Sequence, residues 1–117
     1  MTNLSNKTCE VCRVGAPQVT QKEIDSFKPL IPGWKITTVE DVNHLNRVFK
    51  FNNFIEAIAF TNKIGDLAES EGHHPAILTE WGSVKISWWT HKINGLHVND
   101  FIMAAKTDMI AKLATKP

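Results

Sequence analysis

Glu69-Ser70-Glu71-Gly72-His73-His74-Pro75-Ala76-Ile77-Leu78-Thr79-Glu80-Trp81-Gly82-Ser83-Val84-Lys85-Ile86-Ser87-Trp88-Trp89-Thr90-His91 is the stretch whose reading decides the fold. Residues 76–79 and 84–90 are rich in β-branched and aromatic side chains, and Glu80-Trp81-Gly82-Ser83 between them carries a glycine turn signal. That pattern predicts a β-hairpin. A turn centred on Trp81-Gly82 sets Ile77 opposite Ile86, Pro75 opposite Trp88 and Thr79 opposite Val84, an apolar set suited to the covered side of a sheet. His74 then faces Trp89 on the other side, His73 faces Thr90, and His91 follows one residue on. The base of the hairpin gathers three imidazoles within reach of one small molecule. Imidazole is the side chain whose ordinary pKa lets it donate and accept protons near neutrality.

Composition narrows the partners. The chain has 117 residues, 43% of them hydrophobic and 21% charged, with a formal net charge of +1. One domain with a modest core is expected. Lys and Arg are scattered and offset by acids, so no basic tract asks for nucleic acid. No apolar run approaches the roughly 20 residues that span a bilayer, and the N-terminus lacks a signal-peptide pattern. The default is a cytoplasmic protein without a membrane partner. Cys9 and Cys12 form a lone Cys-x-x-Cys in a polar segment ahead of any periodic pattern. No second cysteine pair completes a zinc site. Residues 1–18 are taken as a flexible arm and 19–117 as the domain, with metal or redox use of the two thiols the alternative.

Thr20 stands three residues before Glu23, a capping-box spacing, and Ile24, Phe27 and Leu30 mark the inner face of a short helix that Pro29 and Pro32 end. Residues 34–39 and 45–51 alternate as two strands joined around Asp41-Val42-Asn43. In the second, Leu45, Arg47, Phe49 and Phe51 share the inner face, and His44 is expected to be a solvated turn residue. Asn52 or Asn53 caps the longest helix, which runs to about Glu69 with Gly72 as its stop. Its stripe of Phe54, Ala57, Ile58, Thr61, Ile64 and Ala68 is widened by Ala59, Phe60 and Leu67. Either the helix is wholly packed in the core or one flank, carrying Ile58, Phe60 or Leu67, meets another subunit. Lys92-Ile93-Asn94-Gly95 turns the chain, and residues 99–113 form a last helix with Phe101, Ile102, Ala105, Met109 and Leu113 inward. Asp100 falls in its first turn, where the helix end suits a carboxylate. His97 is expected at the surface or as part of the cap. The order helix, two strands, helix, two strands, helix describes an α+β domain: an antiparallel four-stranded sheet with helices packed on one face.

Glu69-x-x-x-His73-His74-Pro75, with Trp81, His91 and Asp100 at their spacings, resembles the signature of the pterin-4a-carbinolamine dehydratases, and the similarity extends from about Val19 to Met109. The arm with its two cysteines and the Trp-rich strand look like the bacterial branch associated with phenylalanine hydroxylase. The resemblance implies a pterin substrate, no cofactor, a homodimer or homotetramer, and phenylalanine hydroxylase as a functional partner. It places catalysis on His73, His74 and His91, with Glu69, Pro75, Trp89 and Asp100 supporting the site or binding substrate. Ala76 stands where many members have an acid, and His97 where they have Ser or Thr, so the last helix is capped differently.

The chemistry suits the residues. Expelling hydroxide from C4a of a 4a-hydroxytetrahydropterin needs a proton on the leaving oxygen and removal of one from a ring nitrogen. Such acid–base help is worth typically about 10²–10⁴-fold. His73 is assigned as leading acid toward the 4a-hydroxyl, His91 as its acid or base partner, and His74 as the orienting group. Two rivals stand beside this: a metal site built from the three histidines, and a regulatory module that binds a protein through the exposed helix flank, as the resemblance also implies for some members.

Overall fold

The computed structural model describes Leu4 and residues 18–114. The elements are α1 (Gln21–Phe27), β1 (Lys35–Val39), β2 (Val42–Lys50), α2 (Phe54–Glu71), β3 (Ala76–Glu80), β4 (Ser83–Trp88) and α3 (Val98–Ala114), with single 3₁₀ turns at Lys28–Leu30 and His91–Ile93. The four strands form one antiparallel sheet in the order β1-β2-β4-β3. α2 lies against β3 and β4, and α3 against β2 and β4. This is the α+β arrangement the sequence implied. Cys9 and Cys12 lie outside the described residues, whereas Leu4, from the same segment, belongs to the core at 2% exposed.

The β3–β4 register sets Ile77 opposite Ile86 and Thr79 opposite Val84, as the turn chemistry required. Val84, Ile86 and Trp88 are buried on the helix side while Lys85 is exposed, the alternation of a half-covered sheet. The β1–β2 turn is tighter than expected. Val39 pairs with Val42, so the loop is Glu40-Asp41, both at positive φ (51° and 66°), and β2 begins three residues earlier than its hydrophobic pattern suggested. Two residues at positive φ give the loop a twist that matches the flanking strands. His44 therefore sits inside β2 opposite Thr37, and the expectation of a solvated turn residue is corrected.

The capping box at Thr20 and Glu23 starts α1 as the sequence indicated. The helix stripes differ from expectation. In α2 the buried residues are Ala57, Phe60, Ile64 and Ala68; Phe54 and Ile58 are exposed at 48% and 38%. Phe60 packs on Phe49 and Phe51, so it is core and cannot contribute an outer flank. In α3 the buried residues are Asn99, Asp100, Phe101, Ile102, Met103, Ala104, Thr107 and Ala111, while Met109 and Leu113 face solvent. Thr107 belongs inside because its hydroxyl accepts from Trp88 Nε1 at 3.1 Å and donates to the Met103 carbonyl. Trp34 and Trp88 are both almost wholly enclosed. At 150–250 Å² apiece, each indole contributes about 4–6 kcal/mol of apolar burial.

Trp34 Nε1 donates to Asp108 Oδ1 at 2.8 Å, and Arg47 Nη1 meets the same oxygen at 2.9 Å while its guanidinium lies over Phe49. Arg47 thus holds the margin of the core. Burial pushes the Asp108 carboxyl above its ordinary value; the Trp34 hydrogen bond and the Arg47 charge pull the other way. A raised folded value means that this group favours folding below the ordinary carboxylate range and that the benefit is lost as pH rises through the folded value. Arg47→Met removes one opposing influence. Its loss of stability relative to the parent is expected to grow as pH goes from about 4 to about 7, read from urea midpoints. A pH-independent difference would show that the ion pair does not couple to Asp108.

Candidate active site

The site begins at the end of α2. Gly72 adopts the left-handed conformation at φ 66°, its N–H bonding back to the carbonyls of Ala68 and Glu69, and the His73 N–H also returns to Ala68 at 3.2 Å. This is a glycine-stopped helix end, and it sends the chain sharply off the helix axis. The two residues that follow point to different surroundings. His73 is 5% exposed, and its ring lies nearly parallel to that of Trp88, 5.8 Å between centroids and 10° between planes. His74 has 59% of its side chain exposed and pairs with the exposed Glu69 through Nε2 and Oε1 at 2.7 Å. Pro75 is half-buried and leads directly into β3.

Asp100 joins three segments. Its carboxylate is wholly buried. His73 Nε2 donates to Oδ1 at 2.6 Å, while Thr90 Oγ1 and the His97 backbone N–H donate to Oδ2 at 2.8 and 2.9 Å. A carboxylate offers only acceptors, so all three contacts are matched. The His97 contact is also half of a helix cap. His97 precedes α3, and its Nδ1 accepts from the Asn99 N–H at 3.1 Å while Asp100, three residues on, accepts from the His97 N–H. This is the reciprocal pattern of a capping box, with imidazole in the place of a hydroxyl. His97 is thus a buried cap, and the surface alternative for it is set aside.

Thr90 carries the geometry to His91. Its backbone exchanges hydrogen bonds with Gly95 (2.8 and 3.4 Å), closing a short loop whose 3₁₀ turn, His91–Ile93, is capped by Asn94 at φ 50°. His91 is exposed, with its ring leaning on Trp89 at 4.4 Å and 45°. Trp89 in turn is covered by the His44 ring, 3.9 Å between centroids and 6° between planes. Burial holds the His44 pKa below its usual value; the charges of His91 and Lys85 act the same way and that of Asp100 opposes them.

The structure therefore ties His73, Thr90, His97 and Asp100 together directly, sets His74 with Glu69 next to them in the chain, and attaches His91 through Thr90 and Trp89. Trp81 does not join the group: it stands 69% exposed at the tip of the hairpin, away from its base. Sequence reasoning missed His44, Thr90 and His97. Because the hydrophobic pattern of β2 starts at Leu45, His44 reads as a solvated turn residue, and its meeting with Trp89 depends on pairing of β2 with β4, which no local turn signal encodes. Among the described residues, no group of three or more His, Cys, Asp or Glu side chains is arranged to hold a metal ion.

A family model, pterin 4 alpha carbinolamine dehydratase, matches residues 17–110. A relative from Syntrophotalea carbinolica that is named for this dehydratase is 59% identical over 110 residues, covering 94% of this chain and 98% of its own. One from Nitrosococcus oceani with the same name is 58% identical over 112 residues, 96% and 99% of the two chains. A crystal structure from Brucella melitensis, described as a transcriptional coactivator/pterin dehydratase, superposes with a TM-score of 0.72 at 29% identity, over 81% of this chain and 99% of the other. The chain belongs to the pterin-4-alpha-carbinolamine dehydratase family, and by that membership it is a dehydratase, a hydro-lyase.

Proposed function

We propose that the protein dehydrates a 4a-hydroxytetrahydropterin, 4a-hydroxytetrahydrobiopterin in the first instance, to the quinonoid dihydropterin and water by histidine acid–base catalysis. The reaction would recycle, in the cytoplasm, the cofactor of an aromatic amino acid hydroxylase such as phenylalanine hydroxylase. The observation that carries this reading is the buried Asp100 carboxylate with His73 fixed on it, flanked in the chain by the exposed rings of His74 and His91.

In this reading the C4a–O bond breaks as a proton is delivered to the departing oxygen, and a ring N–H gives up its proton to the site. Atoms balance with water as the only other product. His73 acts as the acid, oriented by Asp100, since a carboxylate fixed on one ring nitrogen sets the direction in which the other faces. His91 serves as partner acid or base. His74, steered by Glu69, orients the substrate, and Pro75 contributes apolar surface around it, while Trp89 supports the ring of His91. The proton transfers require neither metal nor redox cofactor.

Stopped-flow absorbance of 4a-hydroxytetrahydrobiopterin decay tests the assignment. His73→Ala and His91→Ala are each expected to slow the enzymatic step at least about tenfold, and exhaustive chelation is expected to leave the parent rate intact. Unchanged turnover by folded variants would remove those rings from the mechanism. Activity lost on chelation and restored by zinc would make the histidines ligands.

A second reading, a protein-binding regulatory module, draws on the apolar side chains that α2 leaves exposed, Ile55 at 81% with Phe54 and Ile58, and on the coactivator description of the Brucella melitensis protein. We assign that surface first to self-association as a dimer or tetramer, with Ile55 and Ile58 in place of the enclosed Phe60. Sedimentation at micromolar concentration is expected to give a multiple of 13.2 kDa. A single-chain mass would contradict it.

A further inference from the structure

We propose that His44 is a positioning residue for this site: its imidazole, stacked flat on Trp89, holds the indole against which the ring of His91 rests. The inference rests on the assignment of His91 to acid–base work.

The contacts form a chain of three rings. His44 covers Trp89 at 3.9 Å and 6°, close to full parallel overlap, and Trp89 meets His91 at 4.4 Å and 45°. His91 needs such support. It is exposed, it opens a single 3₁₀ turn, and among the described residues its ring makes no hydrogen bond. Trp89 lies one residue past the end of β4, next to the last ladder pair Leu45–Trp88, so strand pairing brings it beside His44 while the orientation of its indole is left to the rings it touches. His44 is fixed: β2 pairs with β1 on one side and β4 on the other, and His44 itself is registered opposite Thr37. A ring anchored in a central strand thus carries order outward to a ring in a loop.

His44 is also suited to stacking as a neutral ring. The groups whose charge bears on it are His91, beyond β4, Lys85 on β4 and Asp100 on α3; β1 presents the uncharged Thr37 opposite it. Burial together with the positive groups outweighs Asp100 and favours the uncharged imidazole. Two imidazoles on one indole can then divide the work, the neutral one giving shape and the exposed one exchanging protons. A face-to-face aromatic contact of this kind supports an effect of about three- to tenfold on a step that needs its neighbour in place.

The experiment combines kinetics with NMR on the full chain. His44→Ala is expected to lower kcat about three- to tenfold with little change in KM, while His44→Phe, which keeps a flat ring, retains most of the activity. The double variant of His44→Ala with His91→Ala is expected to be no slower than His91→Ala alone, because the first effect acts through the second residue. In parallel, the ring protons of His91, shifted upfield by the indole, are expected to move toward their free-solution positions in His44→Ala and to stay in place in His44→Phe. The proposal is overturned if His44→Ala leaves the His91 resonances where they were, if His44→Phe is as slow as His44→Ala, or if the two alanine effects multiply. Full activity of His91→Ala would instead sink the acid–base reading, and the NMR arm would still report whether His44 holds the ring.

Discussion

The buried Asp100 carboxylate is the constraint on which the arrangement depends. Taking an ionisable group out of water is costly unless its oxygens are matched by donors, and here the donors come from three parts of the chain: the end of α2 at His73, the segment after β4 at Thr90, and the entry to α3 at His97. Removing one donor leaves a buried acceptor unsatisfied, which typically costs about 1–3 kcal/mol. The same contacts that make Asp100 tolerable inside the fold hold one imidazole behind the hairpin base and fix Thr90, whose backbone bonds to Gly95 close the loop that presents another. Structure and candidate chemistry share one set of hydrogen bonds.

The helix cap extends this coupling. In α3 the residue that satisfies the first-turn amide is a histidine, and the carboxylate that completes the reciprocal cap also receives His73. A hydroxyl at the cap would meet the same amide with fewer atoms; the imidazole additionally fills space beside a buried group, and His97 is itself only 8% exposed. Loss of the cap would therefore disturb the orientation of His73 as well as the start of α3. The fold alone does not carry the function; the site does.

What could be read from the sequence followed how local the cause was. The β3–β4 pairing was legible because a glycine turn fixes the register of the residues beside it, and the end of α2 was legible because Gly72 is a backbone signal. The Glu40-Asp41 loop was misplaced because neither residue is the glycine or asparagine that usually marks positive φ. The inner face of α3 was misread for a different reason. It contains Asp100 and Thr107, polar residues that become internal only because His73, Thr90, His97 and Trp88 meet them across the fold, so a search for apolar spacing rotates the helix toward Met109 and Leu113. Of the candidate site, His73, His74, His91 and Asp100 could be named from their motif, and the direct joining of His73 to Asp100 is what the structure adds. His44 could not, since it reaches Trp89 through a strand pairing between elements separated by a helix and another strand.

The most direct measurement of the central constraint is the proton on His73 Nε2. A long-range ¹H–¹⁵N spectrum of the ¹⁵N-labelled protein near neutral pH distinguishes a protonated from an unprotonated ring nitrogen. With Asp100 accepting, Nε2 is expected to resonate as an N–H, with a downfield proton slow to exchange, and Asp100→Ala is expected to abolish that slow exchange. An unprotonated Nε2 in the unmodified protein, or a His73 resonance indifferent to Asp100→Ala, would contradict the hydrogen bond on which the site is built.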